Sequence, residues 1–248
     1  MEKHLEDQKD LYNKKADDYL LSHGSKSNDA YRDMAYRQRI LDISVKDKTL
    51  LDAMCGPGID TGFLNSIGAN VIGLDLSDTC AKLYEENWKQ KCHVASIHET
   101  GLQSNSVDII FLSGGLHHII PQLDDAMIEI HRILRPEGYF CFIEPNADTF
   151  INYIRKIWYK IDNRFGDDEG ALSYKRQLKP FINSLNFEED IYFEGGNLAY
   201  LLILQSGILN IPEKYKPKIL KPLLFTERLL NKIPFFPKLF FAARWKKK

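Results

Sequence analysis

A pair of glycines, set between an apolar run and a distant acid, is the first feature of this sequence able to do chemistry. Thr49-Leu50-Leu51-Asp52-Ala53 leads into Met54-Cys55-Gly56-Pro57-Gly58-Ile59-Asp60-Thr61, and Asn70-Val71-Ile72-Gly73-Leu74-Asp75 follows. Gly56 and Gly58 permit a tight turn and the close approach of a ligand to the backbone. The N–H groups that open the next helix would face that ligand. Asp75 closes the second run, 23 residues after Asp52, the length of one strand–helix–strand unit. A carboxylate there can accept from both hydroxyls of a ribose. His117 and His118, adjacent imidazoles behind Gly114-Gly115, could take a proton near neutral pH. Glu144, just before Pro145, is a third candidate base. Each has a plainer alternative: a simple tight turn for the glycines, loop anchoring for the histidines, and support or substrate orientation for Glu144.

The loop discriminates between ligand classes. A dinucleotide site uses Gly-x-Gly-x-x-Gly so that a helix can receive a pyrophosphate. Here Thr61 stands at the third glycine position, and Asp60 beside it would repel phosphate. Asp52 and Asp60 suit a ligand carrying positive charge. The loop therefore favours S-adenosylmethionine, with its sulfonium and amino-acid end, over a nicotinamide dinucleotide.

These residues need elements to position them. Apolar runs at Thr49–Ala53 and at 71–76, 93–97, 107–112 and 139–143 alternate with segments of helical spacing at 60–66, 78–89 and 124–134. That alternation predicts a doubly wound, mostly parallel α/β sheet of seven strands. Residues 1–46 are expected to form a helical cover and 47–206 the α/β domain. Runs at 187–193 and 198–204, around Gly195-Gly196-Asn197, predict a closing antiparallel hairpin. Residues 146–172, with Phe150, Tyr153, Trp158 and Tyr159, predict an aromatic cap, and 174–185 a core helix. Residues 207–248 are expected to be a surface extension of short kinked helices without a second core.

Composition excludes several classes. The 248 residues are 44% hydrophobic and 27% charged with a formal net charge of −1, which fits neither a disordered polyelectrolyte nor a nucleic-acid binder. Four scattered cysteines suggest no disulfide framework, no Cys/His spacing suits zinc, and no metal is expected. The N-terminus has no apolar signal core, and no apolar run is long enough to span a bilayer. The expected setting is cytoplasmic, at most peripheral to a membrane. Residues 214–248 hold eleven Lys and Arg against one acid, Glu227. The pairing of those cations with Phe235, Phe236, Phe240, Phe241 and Trp245 suits an anionic membrane surface, or else an apolar strip docked on the domain with solvated lysines at its end.

Residues 50–58 resemble the first motif of the class I S-adenosylmethionine-dependent methyltransferases. Val71-Ile72-Gly73-Leu74-Asp75-Leu76-Ser77 is similar to their ribose-binding strand, and Ser106-Val107-Asp108-Ile109-Ile110 to their fourth strand. Leu116-His117-His118-Ile119 resembles the loop after that strand, and the turn at 134–139 with Ile143-Glu144-Pro145-Asn146 resembles the fifth. The resemblance covers residues 47–146 and, more loosely, the N-terminal helix around Tyr12-Asn13-Lys14-Lys15-Ala16-Asp17-Asp18-Tyr19. It implies methyl transfer to a small-molecule acceptor, with cofactor contacts from Asp52, Ala53, Gly56, Gly58, Asp75, Leu76, Ser96, Ile97, Ser113, Tyr19 and Arg37. Arg37 would pair with the cofactor carboxylate, or otherwise form a helix-surface salt bridge. His118, His117 and Glu144 are the candidate bases. Met54 replaces the family's usual glycine, which demands a negative φ there. Ser96 replaces its usual adenine-binding acid, and Glu137 a glycine in a turn. The aromatic cap suits an organic or lipid-like acceptor. Kept as alternatives are a binding module without turnover, a nicotinamide oxidoreductase and an aminopropyl transferase, the last disfavoured by the absence of acids in Ser113-Gly114-Gly115-Leu116.

Overall fold

The computed structural model describes residues 2–153, 170–204 and 211–248. Its strands are β1 (Thr49–Ala53), β2 (Asn70–Asp75), β3 (Cys92–Val94), β4 (Val107–Ser113), β5 (Leu134–Pro145), β6 (Phe187–Gly195) and β7 (Phe240–Lys247). They form one sheet in the order β3-β2-β1-β4-β5-β7-β6. Every pairing from β3 to β5 is parallel, whereas β7 runs antiparallel to both of its neighbours. The helices are α1 (Glu2–His23), α2 (Lys26–Arg32), α3 (Gln38–Ile40), α4 (Thr61–Ser66), α5 (Asp78–Trp88), α6 (Leu123–Ile133), α7 (Pro180–Ser184) and α8 (Lys216–Leu230).

The strands read as unbroken apolar runs because both faces are covered. Ile110, Leu112, Phe140 and Phe142 point to one core, with Met127, Ile130 and Tyr174. Ile109, Phe111, Cys141 and Ile143 point to the other, with Tyr31, Ile40 and Leu220. α6 buries Leu123, Ala126, Met127, Ile130 and Ile133, the three-and-four spacing of one helical face. The Ser77 hydroxyl caps α5 by accepting from the Cys80 N–H at 3.0 Å.

Three expectations are corrected. Residues 198–204 do not pair with β6; Tyr200–Leu204 is a π-helical turn, and the antiparallel partner of β6 is β7. The helix expected at 174–185 is divided into a π-helical turn, Tyr174–Leu178, and α7, where Pro180 opens a new first turn. The largest change concerns the C-terminal tail, whose last strand is inserted in the sheet between β5 and β6. There Phe241, Ala243 and Trp245 face one core and Phe240 and Ala242 the other. The cations of β7 made that strand look like a surface tail, but Arg244 and Lys247 are buried. Arg244 pairs with Asp190 at 2.6 Å and donates to the Ile40 and Asp42 carbonyls. Lys247 donates to the carbonyls of His131 and Leu134, each at 2.7 Å. Neither a docked strip with solvated lysines nor a membrane-facing tail describes residues 240–247. Most of the expected cap, 154–169 with Trp158 and Tyr159, lies outside the described residues.

Candidate functional site

A cleft opens at the carboxyl ends of β1, β2 and β4, where the strand order reverses, the expected place for a ligand in such a sheet. Its lining includes Gly56, Asp60, Asp75, Leu76, Ser96, Ile97, Ser113 and His118, with Gln8 and Tyr12 of α1 and Arg32 of α2. The turn at its floor is built by backbone bonds. Asp75 accepts from the Gly56 N–H at 2.8 Å and the Ser77 N–H at 2.9 Å, which ties the tip of β2 to the glycine loop. Gly58 has φ 87°, and a Cβ there would collide with the Trp88 indole, whose Nε1 donates to the Gly58 carbonyl at 2.9 Å. Gly58 therefore shapes the loop from behind and does not line the cleft.

Several candidate residues stand elsewhere than expected. Asp52 and Ala53 are buried beneath the loop, at 2% and 1% exposure. The Thr61 hydroxyl donates to Asp52 at 2.7 Å, and burial, with Asp60 nearby, pushes the Asp52 carboxyl up to about 8. Held under the loop by Thr61, the Asp52 side chain does not line the cleft. Arg37 does not reach out to a ligand either. Fully buried, it is caged by Asp60 at 2.7 Å, Asp29 at 2.6 Å and Asp33 at 2.8 Å. Asp33 and Asp29 stand four and eight residues before it, a spacing that marks Arg37 as internally paired. Arg32 takes its place as the cation on the cleft wall, held by a bond from its Nη1 to the His23 carbonyl at 3.0 Å. Sequence reasoning missed it because Arg32 and Arg37 share a helical stretch, and only the fold shows which one meets the cleft. The Tyr19 side chain lies outside the described residues.

Met54 lines the cleft with φ 55°, in the left-handed region that the negative-φ expectation excluded. That conformation costs an L-residue about 1–2 kcal/mol. Gly115 leaves space for the Met54 side chain, since a Cβ at Gly115 would lie 2.6 Å from the Met54 sulfur. Ser96 lines the cleft as expected, but its hydroxyl is shared with His98 Nδ1 at 2.6 Å, which gives His98 a companion the sequence had not suggested.

The three candidate bases take different places. Glu144 is buried and does not line the cleft. It accepts from the N–H groups of Gly115 at 2.9 Å and Leu116 at 2.7 Å, and pairs with His117 Nδ1 at 2.7 Å. Burial pushes its carboxyl up to about 7, against the opposing pull of the Leu116 N–H. Glu144 and His117 thus hold the loop after β4, and only His118 faces the cleft. Its Nε2 lies 2.9 Å from the Tyr12 hydroxyl, and its carbonyl accepts from Gln8 at 3.2 Å. α1 in this way meets the histidine that, among the described residues, lines the cleft.

Residues on the cleft wall could hold an adenosyl amino acid. The tip carboxylate at Asp75 suits a ribose, Leu76 and Ile97 offer apolar walls for a flat base, and Arg32 suits a carboxylate. Residues 51–142 match a family model described as a methyltransferase domain. The chain is 32% identical over 97 residues to an uncharacterized methyltransferase of Synechocystis sp., covering 38% of this chain and 46% of that one. It is 32% identical over 119 residues to a malonyl-[acyl-carrier protein] O-methyltransferase of Enterobacter lignolyticus, covering 46% of this chain and 45% of that one. The chain thus spans just under half the length of these curated relatives. Among solved structures, magnesium protoporphyrin IX methyltransferase of Synechocystis PCC 6803, with bound SAH, matches with a TM-score of 0.65 at 11% identity, covering 99% of this chain and 100% of that one. The matched methyltransferase domain takes in most of β1 and all of β2 and β4, with the loops at their carboxyl ends, which line the cleft together with Gln8, Tyr12 and Arg32.

Proposed function

We propose that this chain transfers a methyl group from S-adenosylmethionine to a small organic or lipid-like acceptor, with His118 as the group that takes the acceptor's proton. The observation that carries the proposal is the meeting of the Asp75 tip, the glycine turn and His118 in one cleft. When bound, S-adenosylmethionine supplies a methyl group on a positively charged sulfur. Asp75 would hold its ribose and Arg32 its carboxylate, while Ser96 and Ile97 flank the base. Displacement from a sulfonium releases a neutral group, so the protein's main task is alignment and exclusion of water. Gln8 and Tyr12 close the cleft from above and keep the His118 ring in place. A proton leaving the acceptor would pass to His118 Nε2 as the Tyr12 hydroxyl gives way, and the Glu144–His117 pair would keep the loop in register.

Calorimetry with S-adenosylhomocysteine tests the cofactor half of this reading, and absence of binding would refute it. For the base, His118→Ala should lower turnover about 100-fold, within the range for a general base, with little change in cofactor affinity. Tyr12→Phe should have a smaller effect of the same kind. Full turnover in His118→Ala would remove the base from the mechanism.

A further inference from the structure

The outer face of α8 and the turn after it carry side chains that the sheet does not bury. Lys216, Leu220, Leu224 and Glu227 face inward at helical spacing. The opposite stripe is Lys218, Lys221, Phe225, Leu229 and Lys232, all exposed. Phe225 is 65% exposed, and beyond the helix Ile233 and Phe235 are 47% and 90% exposed. Large apolar side chains gathered in water mark an interaction surface. The one acid between Lys214 and Lys238, Glu227, is buried and accepts from the Tyr31 hydroxyl at 2.9 Å and the Asn197 N–H at 2.8 Å. The face is therefore both apolar and cationic.

Its position in the fold matters equally. β7 begins at Phe240 opposite Pro145, the last residue of β5, so residues 231–239 lie at the carboxyl end of the sheet, the end that holds the cleft. The segment after β5 leaves at that same end, and its Phe150 and Tyr153 are 67% and 75% exposed. Nearby acids are already engaged: Glu213 accepts from the Ser27 N–H, and Asp29 of α2 is held by Arg37. The exposed Glu188 sits at the opposite end of the sheet, where β6 begins. Exposed Glu6, Asp7 and Asp10 belong to α1, which packs on α5 beside β2 and β3.

We propose that this face seats the protein on an anionic lipid surface. Phe225, Leu229 and Phe235 enter the interface, while Lys218, Lys221, Arg228 and Lys232 meet the head groups. Apolar side chains ringed by cations suit that surface, whose negative charge attracts the lysines while its acyl boundary accepts the rings. A second copy of the chain fits poorly, since two cationic faces would be opposed. The inference goes beyond methyl transfer and does not depend on it.

Flotation of the full chain with vesicles tests it. Vesicles of equal phosphatidylglycerol and phosphatidylcholine should bind about tenfold more protein than phosphatidylcholine alone, and added salt should reduce the difference. Phe225→Ser with Phe235→Ser, and separately Lys221→Glu with Lys232→Glu, should each lower vesicle binding about tenfold. Both double variants should keep the melting temperature and the S-adenosylhomocysteine affinity of the parent, because the altered side chains are in solvent. Equal binding to neutral vesicles, no binding at low salt, or parental binding by both variants would overturn the proposal. So would a dimer that requires Phe235 and forms without lipid.

Discussion

Asp75 accepts two backbone N–H bonds and still presents its carboxylate to the cleft, so one side chain shapes the loop and would meet the ligand. Asp75→Asn keeps the size but turns one acceptor into a donor that faces another donor. Hydrogen bonds to charged groups contribute about 1.5–3 kcal/mol, so S-adenosylhomocysteine should bind about 10- to 100-fold more weakly by calorimetry. The two arginines should separate cleanly. Arg32→Met removes a cation from the cleft wall and should weaken cofactor binding about tenfold. Arg37→Met leaves Asp29, Asp33 and Asp60 clustered without their partner, and should cost about 3–5 kcal/mol in denaturant unfolding. Equal effects of the two substitutions on cofactor affinity would contradict the assignment of Arg32 to the cleft.

At the scale of the element, β7 decides what the C-terminal segment is for. Trp245 is fully buried between β5 and β6, and its Nε1 donates to the Tyr174 hydroxyl at 3.1 Å. Trp245→Ala should destabilise the protein by about 3–5 kcal/mol, the cost of emptying a large core site. A substitution on a surface tail would change stability by less than about 0.5 kcal/mol, so chemical denaturation distinguishes the two. The loop after β4 is an element of another kind, positioned by one buried acid. Glu144 reads as a base from its place at a strand tip, but that tip points under the loop, where the N–H groups of Gly115, Leu116 and His117 and the His117 ring converge on it. His117 belongs to that support, so that of the three candidate bases His118 is the one that lines the cleft.

For the molecule as a whole, buried acids set the pH response. Burial raises Asp52 to about 8 and Glu144 to about 7. Each keeps in the fold a proton that the unfolded chain would release from about pH 4 upward. The unfolded state binds fewer protons across that window, so stability falls as pH rises, by up to about 1.4 kcal/mol per pH unit for each group. In the acid range the sign reverses. Despite the cost of burial, hydrogen bonds from Arg132 and Thr100 hold Glu129 down to about 2, and that support is lost as pH falls through its value. Thermal melts should therefore show higher stability at about pH 5 than at about pH 8, and Asp52→Asn should flatten the decline. A parental profile that rises over this range would refute the placement of the two acids.

The strand, the glycine turn, the helix and the acid at Asp75 were legible in the sequence because they are neighbours along the chain, each constraining the next within one strand–helix–strand unit. Their register followed from apolar runs that both sheet faces require. Tertiary structure alone decided the partners that are distant in sequence: β7 between β5 and β6, Tyr12 against His118, Arg37 in its cage and Arg32 on the cleft. Local pattern cannot settle such matters. A lysine at a strand end looks solvated until the carbonyls of His131 and Leu134 close on it, and an arginine's role depends on which carboxylates packing brings within reach. Distance along the chain hides these pairings, and only the folded register makes them.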